Sequence, residues 1–196
     1  MRFPPRLATY VTLLLTACAQ HVVPPVGGLP APLGSSSCYT ARVAPKNAMA
    51  TITFYGYPDN APPGKAIAHP VIHRHAGGDG TYCNPTTFAT EKANNRDIPY
   101  GTKIYVPFIE KYFVREDLCA ASGPPVGSGS NGCYKLWFDL WIGGNAHSSV
   151  KALVACERKL TPNGKVRVVL DAGPNLPVAN SGSLYRNRPR PKGTCG

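Results

Sequence analysis

Two apolar runs of this chain each carry one aspartate: Asp117 in YFVREDLC and Asp139 in LWFDLWIGG. A carboxyl group held in apolar surroundings is a candidate general acid, because burial favours its protonated form. In the second run Leu136, Phe138, Leu140 and Ile142 alternate with Trp137, Asp139 and Trp141. Successive side chains of a strand point to opposite faces. The run therefore predicts an aliphatic face for a core and a second face bearing a carboxylate between two tryptophans. An acid flanked by flat aromatic surfaces suits a groove that binds or cleaves a polysaccharide. The plain structural alternative is a Trp-rich strand whose aspartate caps a loop. That alternative weighs more for Asp117, which stands beside Cys119 at a turn, where aspartate commonly caps.

Other chemistry finds less support. His73 and His75 share a face if their segment is extended, but no third metal ligand accompanies them, and surface histidines are the simpler reading. No CxxC pair, phosphate-binding glycine loop or basic groove helix occurs, so no metal, cofactor or nucleic acid is expected.

The elements that must hold these residues are mostly short strands. In AMATITFYGY, Ile52 and Phe54 alternate with Thr51, Thr53, Tyr55 and Tyr57. IAHPVIH reads as an edge strand at most, given its proline. HAGGDGTYCNPTTFAT reads as a tight turn on Gly77, Gly78 and Gly80, which either approaches a ligand or simply turns. TKIYVPFI, KYFVRED and KLWFDLWIG read as strands, the first with Ile104 and Val106 on one face. Ser148 to Leu160 reads as the helix, capped by Ser148 or Ser149, with Val150, Leu153, Val154 and Leu160 as its apolar stripe. The turn at Pro162-Asn163-Gly164 stops it. KVRVVLD is a last strand with Val166, Val168 and Leu170 together. Strands with frequent turns and one helix predict a small β-barrel over residues 48–173, enough chain for one core.

The ends differ in character. Residues 1–19 have a positive start at Arg2 and Arg6, an apolar centre and a small-residue end, the pattern of a signal peptide. Leu15-Thr16-Ala17-Cys18 matches a bacterial lipobox, which would leave Cys18 lipidated and the protein tethered to a membrane; cleavage after Ala19 would release it instead. Residues 20–47 are a Pro/Gly-rich linker. Residues 174–196 are a basic, proline-interleaved tail carrying Arg186, Arg188, Arg190 and Lys192, either a solvated end or a tether to an anionic wall. The chain has 196 residues and a formal net charge of +11. That balance favours acidic polymers such as anionic wall glycans. Cys38, Cys83, Cys119, Cys133, Cys156 and Cys195 remain after the leader, an even number that suggests three disulfides in an exported chain. Several pairings stay open. Cys119–Cys133 would close the loop between the two Asp-bearing strands, and Cys38 and Cys195 would tie the two ends.

TFYGYPDN, HAGGDGTYCNP and the pair REDLC and WFDLWIGG together resemble the double-psi β-barrel proteins. That group includes expansins, barwin-like proteins, family 45 endoglucanases, rare lipoprotein A and the lytic transglycosylases of the membrane-bound A type. FDLW at 138–141 is similar to the strand whose aspartate is the group's catalytic or binding acid, which implies that role for Asp139. REDLC is similar to the strand that carries the first of two aspartates in the lytic transglycosylases, which implies Asp117. TFYG at 53–56 is similar to the start of expansin barrels, which places Thr53 and Tyr55 along the groove. The second acid of family 45 endoglucanases corresponds to Tyr57 here, with Asp59 two residues on, and the expansin histidine before F-D corresponds to Trp137.

The resemblance implies a mainly β fold: a single six-stranded double-psi β-barrel with one short helix, braced by disulfides. It implies an exported, monomeric cell-wall protein that binds peptidoglycan or β-glucan. The groove residues would be Thr53, Tyr55, Tyr57, Asp59, Trp137 and Trp141. Asp139 would act as general acid, with Asp117 or Asp59 as its partner. A lytic transglycosylase needs one carboxyl, which protonates the glycosidic oxygen and then helps the sugar's own hydroxyl close a 1,6-anhydro ring. A hydrolase that inverts needs a second carboxyl about 6.5–9.5 Å away. The alternative is a non-catalytic, expansin- or barwin-like wall-binding module; a third is a protease inhibitor or toxin that presents loop 119–133.

Overall fold

The computed structural model describes Cys38, residues 43–60, 62–119 and 136–186, and Cys195. Expectations for the leader, the lipobox, most of the linker, loop 120–135, Cys133 and residues 187–194 fall outside the described residues.

Six strands close a barrel: β1 (Lys46–Tyr55), β2 (Thr86–Thr90), β3 (Lys103–Val106), β4 (Lys111–Leu118), β5 (Trp137–Trp141) and β6 (Val166–Leu170). Their order around the barrel is β1-β5-β2-β4-β3-β6. β1 and β5 are parallel, as are β2 and β4; the other four contacts are antiparallel. One helix, α1 (Val150–Leu160), packs against β1. The fold is mainly β, as the turn-rich composition predicted.

Period-two patterning fills the interior. Ala50, Ile52 and Phe54 of β1 meet Phe88 of β2, Ile104 and Val106 of β3, Phe113 of β4, Phe138 and Leu140 of β5 and Val168 of β6. Each of these is buried. A core aliphatic or aromatic side chain contributes roughly 1.5–3 kcal/mol when taken out of water.

Three expectations need correction. IAHPVIH is not a strand: Pro70 and the bends around it keep residues 67–73 irregular. The sixth strand is β2, which has the pattern of a fully buried strand rather than an alternating one. Its threonines hide it from a search for apolar runs. In α1, Val150 points to solvent; it opens the helix, and the buried positions are Leu153 and Cys156. Ser149 is the N-cap, accepting from the Ala152 amide.

Packing requires glycine at the turn. Gly78 has φ +95°, and a Cβ there would lie 2.2 Å from the Pro85 carbonyl oxygen. Only glycine allows the two backbones to touch.

Disulfides join Cys38 to Cys83 and Cys156 to Cys195. Cys38 and Cys195 therefore do not pair with each other. Cys119 is also disulfide-bonded, with its partner outside the described residues. Residues 174–186 run over the barrel rather than away from it. Tyr105 Oη donates to the Pro177 carbonyl, and the buried Lys111 ammonium donates to the carbonyls of Asp79, Asn180 and Gly182. Leu184, Tyr185 and Cys195 complete the core. Cys156–Cys195 closes a 39-residue separation, for which loop-closure entropy gives about 4 kcal/mol. Replacing both cysteines by serine is expected to lower the unfolding free energy in urea by about that amount.

Candidate functional site

Strand register assembles the site. Thr53 of β1 pairs with Asp139 of β5, Asp139 with Ala89 of β2, and Ala89 with Asp117 of β4. Four adjacent strands thus present one row, and it faces away from the aliphatic core. Asp117 reaches that row through an irregularity. Phe88 pairs with Arg115, whereas Ala89 pairs with Asp117, so Glu116 is the extra residue of a β-bulge. Without it, strict alternation would put Asp117 on the same face as Phe113 and Arg115. The bulge turns its carboxyl to the side of Asp139. Ala89 lies between the two acids and leaves space above itself.

That space is a cleft of 460 Å³, lined by Asp139, Asp117, Asp59, Tyr55 and Ala89 and by the segment Ala66-Ile67-Ala68. The Thr53 hydroxyl donates to Asp139 Oδ1 at 2.8 Å and accepts from Trp137 Nε1 at 2.8 Å. An indole N–H only donates. It therefore fixes the direction of the Thr53 proton, which must point at Asp139. Burial raises the Asp139 pKa to about 7; the Thr53 hydrogen bond opposes the rise, and the Asp59 and Asp117 charges add to it.

Asp117 is more fully engaged. Its Oδ2 accepts from Tyr55 Oη at 3.0 Å, and its Oδ1 accepts from the amides of Ala68 and Leu118, each at 2.9 Å. Burial raises its pKa, and these three donors oppose the rise. Burial also lifts the Tyr55 phenol well above its ordinary range, so it stays protonated and donates. Asp59 is exposed at the rim, its Oδ1 accepting from the Gly56 amide at 2.7 Å.

The tryptophans are not open platforms. Trp137 is 8% and Trp141 3% exposed. Trp137 braces Thr53 from behind. Trp141 stands edge-on to Tyr55, with ring centroids 5.2 Å apart, and Tyr57 packs on that cluster without lining the cleft. The burial of Trp141 and Tyr55 follows from the segment 65–76, which crosses the outer face of the barrel and packs Ile67 and Ala76 against that cluster. It is pinned to the bulge. Glu116, wholly buried, accepts from the amides of Val71, Ile72 and His73, from the Thr87 hydroxyl, and from His73 Nδ1 at 2.7 Å. His73 Nε2 contacts Asn84 Oδ1. Both ring nitrogens of His73 are thus occupied. Among the described residues, no group of three or more His, Cys, Asp or Glu is placed to hold a metal ion.

Sequence reasoning missed Glu157. It lies one turn after Leu153 and beside Cys156, so a glutamate in the buried stripe of α1 was the available signal. Its Oε1 is buried without a hydrogen-bond partner. Burial, with the Asp59 charge and hydrogen bond and the Asp139 charge, raises its pKa to about 9. Four carboxyl groups therefore gather here, and Glu157 carries a proton at neutral pH.

These shifts have a stability signature. A carboxyl whose folded pKa exceeds its unfolded value of about 3.9 binds more protons folded than unfolded between the two values, so stability falls as pH rises through that window. For Asp139 the window runs from about 4 to 7. Asp139→Asn is thus expected to stabilise the fold at pH 8 by on the order of 2 kcal/mol, with the gain fading towards pH 4. Urea unfolding at both pH values checks the sign. Glu157→Gln should show the same sign, with a gain still growing between pH 7 and 9.

A family model described as the DDB_G0273701 N-terminal domain matches residues 47–196, from the first strand through Cys195. The chain belongs to that family. A Dictyostelium discoideum relative, described as uncharacterized protein DDB_G0273701/DDB_G0273221, is 38% identical over 128 residues, which is 65% of this chain and 52% of the relative. The chain thus spans about half the length of that relative. No solved structure matches. The DDB_G0273701 N-terminal domain region contains every element of the barrel and all four carboxyls of the cleft and its rim.

Proposed function

We propose that this DDB_G0273701 N-terminal domain protein is an exported, wall-polysaccharide-active barrel of the double-psi type, with Asp139 as the general acid. The observation that carries the reading is the Asp139 carboxyl, protonated up to about pH 7, beside a cleft large enough for a sugar ring. Its Oδ1 is held by Thr53, so Oδ2 serves a ligand. A general acid works best with its pKa near the operating pH. The two parallel strand pairs within one closed barrel support the double-psi assignment. The disulfides and the leader-like N-terminus support export.

In this reading Asp139 gives its proton to the glycosidic oxygen as the bond to the anomeric carbon breaks. The electron pair leaves with that oxygen. Asp139, now a carboxylate, takes the proton of the incoming nucleophile. If the nucleophile is the sugar's own 6-hydroxyl, the product is a 1,6-anhydro sugar. Asp117 and Asp139 flank β2, two strand spacings or roughly 10 Å apart at Cα; an inverting mechanism would need their carboxyl groups about 6.5–9.5 Å apart.

A specific observation favours a second reading, a glycan-binding module without catalysis. Two of the three donors on Asp117 tie it to Tyr55 and to Ala68 of the 65–76 segment, and the third is the neighbouring Leu118 amide, which suits a positioning role better than that of a free base.

Incubating the protein with peptidoglycan and with amorphous cellulose separates the two. Anhydro-muropeptides or new reducing ends that vanish in Asp139→Asn support the enzyme. Co-sedimentation without product supports the binder, and neither product nor binding sinks both.

One prediction concerns space. Ala89→Leu would place an isobutyl group between the two acids. Binding of glycan is expected to fall at least tenfold, with urea stability changed by less than about 2 kcal/mol because the group enters the cleft rather than the core.

A further inference from the structure

The proposed reaction makes no use of Glu157, yet the fold brings its carboxyl against an acid at the rim of the cleft. Glu157 is on α1, which packs against β1. Glycines permit the close approach. A Cβ on Gly56 would lie 2.8 Å from Leu153 Cδ1, and one on Gly144 2.9 Å from the same atom. Leu153 is wholly buried in the slot they leave. Glu157 follows Leu153 by one helical turn. Asp59 follows Gly56 by three residues and accepts from its amide at 2.7 Å. The Glu157 and Asp59 carboxyls meet in a hydrogen bond. Asp59 lines the cleft, and Glu157 does not.

Two carboxylates offer only acceptors, so a hydrogen bond between them needs a proton. Placement decides which group carries it. Water and the Gly56 amide solvate Asp59 as an anion. Glu157 Oε1 is buried without a hydrogen-bond partner, a setting that suits the neutral acid. The charges that face Glu157 agree. Asp59 from the turn after β1 and Asp139 from β5 favour its protonated form, and Arg158 of α1 itself opposes them. Glu157 is thus the donor and Asp59 the acceptor.

We propose that Glu157 is a positioning residue, which keeps the shared proton, donates it in the hydrogen bond to Asp59, and so holds the Asp59 carboxylate towards Asp139 as a fixed negative charge. The Asp59 charge favours the protonated form of Asp139. A residue outside the cleft therefore helps keep the general acid loaded. This deepens the proposed function and rests on it for the effect on cleavage; the sharing of the proton is a property of the free protein.

The test is a titration of side-chain carboxyl carbons by nuclear magnetic resonance, on the full chain without ligand, in the wild type, Glu157→Gln and Glu157→Leu. Glu157 is expected to stay protonated through neutral pH and to titrate near 9. Glu157→Gln still donates an N–H to Asp59 and should leave the Asp139 midpoint where it is. Glu157→Leu has no donor, so Asp59 turns to water and the Asp139 midpoint should fall by about half a pH unit. Should the leucine variant fail to fold, the wild-type titration still decides which group holds the proton. A Glu157 midpoint near about 4, or an Asp139 midpoint that responds alike to glutamine and to leucine, overturns the inference. No glycan enters these readings. Midpoints as expected in a protein that cleaves nothing would sink the proposed function and leave the positioning role standing. In a protein that does cleave, the alkaline limb of the rate should move to lower pH in Glu157→Leu and stay in place in Glu157→Gln; a limb unmoved in both removes the catalytic role of Glu157 and leaves the proposed function intact.

Discussion

Replacing Glu116 by alanine is expected to lower the unfolding free energy by about 3 kcal/mol and, in the proposed reading, to abolish glycan binding at the acid cleft. The loss has two sources. Three backbone amides, the Thr87 hydroxyl and the His73 ring converge on this one buried carboxylate. Its removal leaves them without an acceptor in a place that water reaches poorly. The second source is geometric. Glu116 is the extra residue of the bulge that turns Asp117 towards Asp139, and the segment it pins carries Ala66, Ile67 and Ala68 into the cleft wall. Hydrogen exchange at the amides of Ala68 and Val71–His73 should speed up by orders of magnitude in the variant, while Ile52 and Phe138 stay protected. Glu116→Gln keeps one acceptor oxygen and loses the charge, so it should fall between the two. Unchanged exchange at 71–73 in Glu116→Ala would show that the segment is held by something else.

In the proposed reading, the pH profile of glycan cleavage is the second large effect. A general acid must be protonated to act. With an Asp139 pKa of about 7, the acid-dependent rate should be flat below pH 7 and fall about tenfold per unit above it. Asp139→Asn is expected to reduce turnover by about 10³-fold and to remove that limb. Thr53→Val tests the brace behind it. The hydroxyl bond holds the Asp139 pKa down, so its loss should move the limb to higher pH while turnover drops through looser positioning. A limb shifted to lower pH in Thr53→Val would contradict the account.

Part of this site was legible in the residues alone. Alternation in LWFDLWIGG put Asp139 on the face opposite Phe138 and Leu140, and the register places it there, beside Thr53. The same alternation misjudged the tryptophans. It separates faces, but it does not say what covers the outer one; at Trp141 the 65–76 segment does. Asp117 was legible as an acid near a turn, but its direction was not, because the bulge at Glu116 leaves no mark in a period-two pattern. β2 was hidden for a different reason. Its side chains are buried on both sides, yet three of its five residues are threonines, and Thr87 and Thr90 satisfy their hydroxyls internally, so the strand reads as polar. Glu157 was visible as an acid one turn from Leu153, but helix surfaces are full of glutamates, and only the approach of α1 to Asp59 and Asp139 gives it meaning. The disulfides needed the fold, since spacing along the chain does not show that Cys83 faces Cys38 or that α1 meets Cys195.

The most direct measurement is a titration of the Asp139 side-chain carboxyl carbon by nuclear magnetic resonance, assigned by comparison with Asp139→Asn. The account predicts a chemical shift midpoint near pH 7, moved upward in Thr53→Val. A midpoint near 4, the value of a solvated aspartate, would mean that the group is already ionised where it is supposed to give up a proton, and the glycan-cleaving reading would go with it.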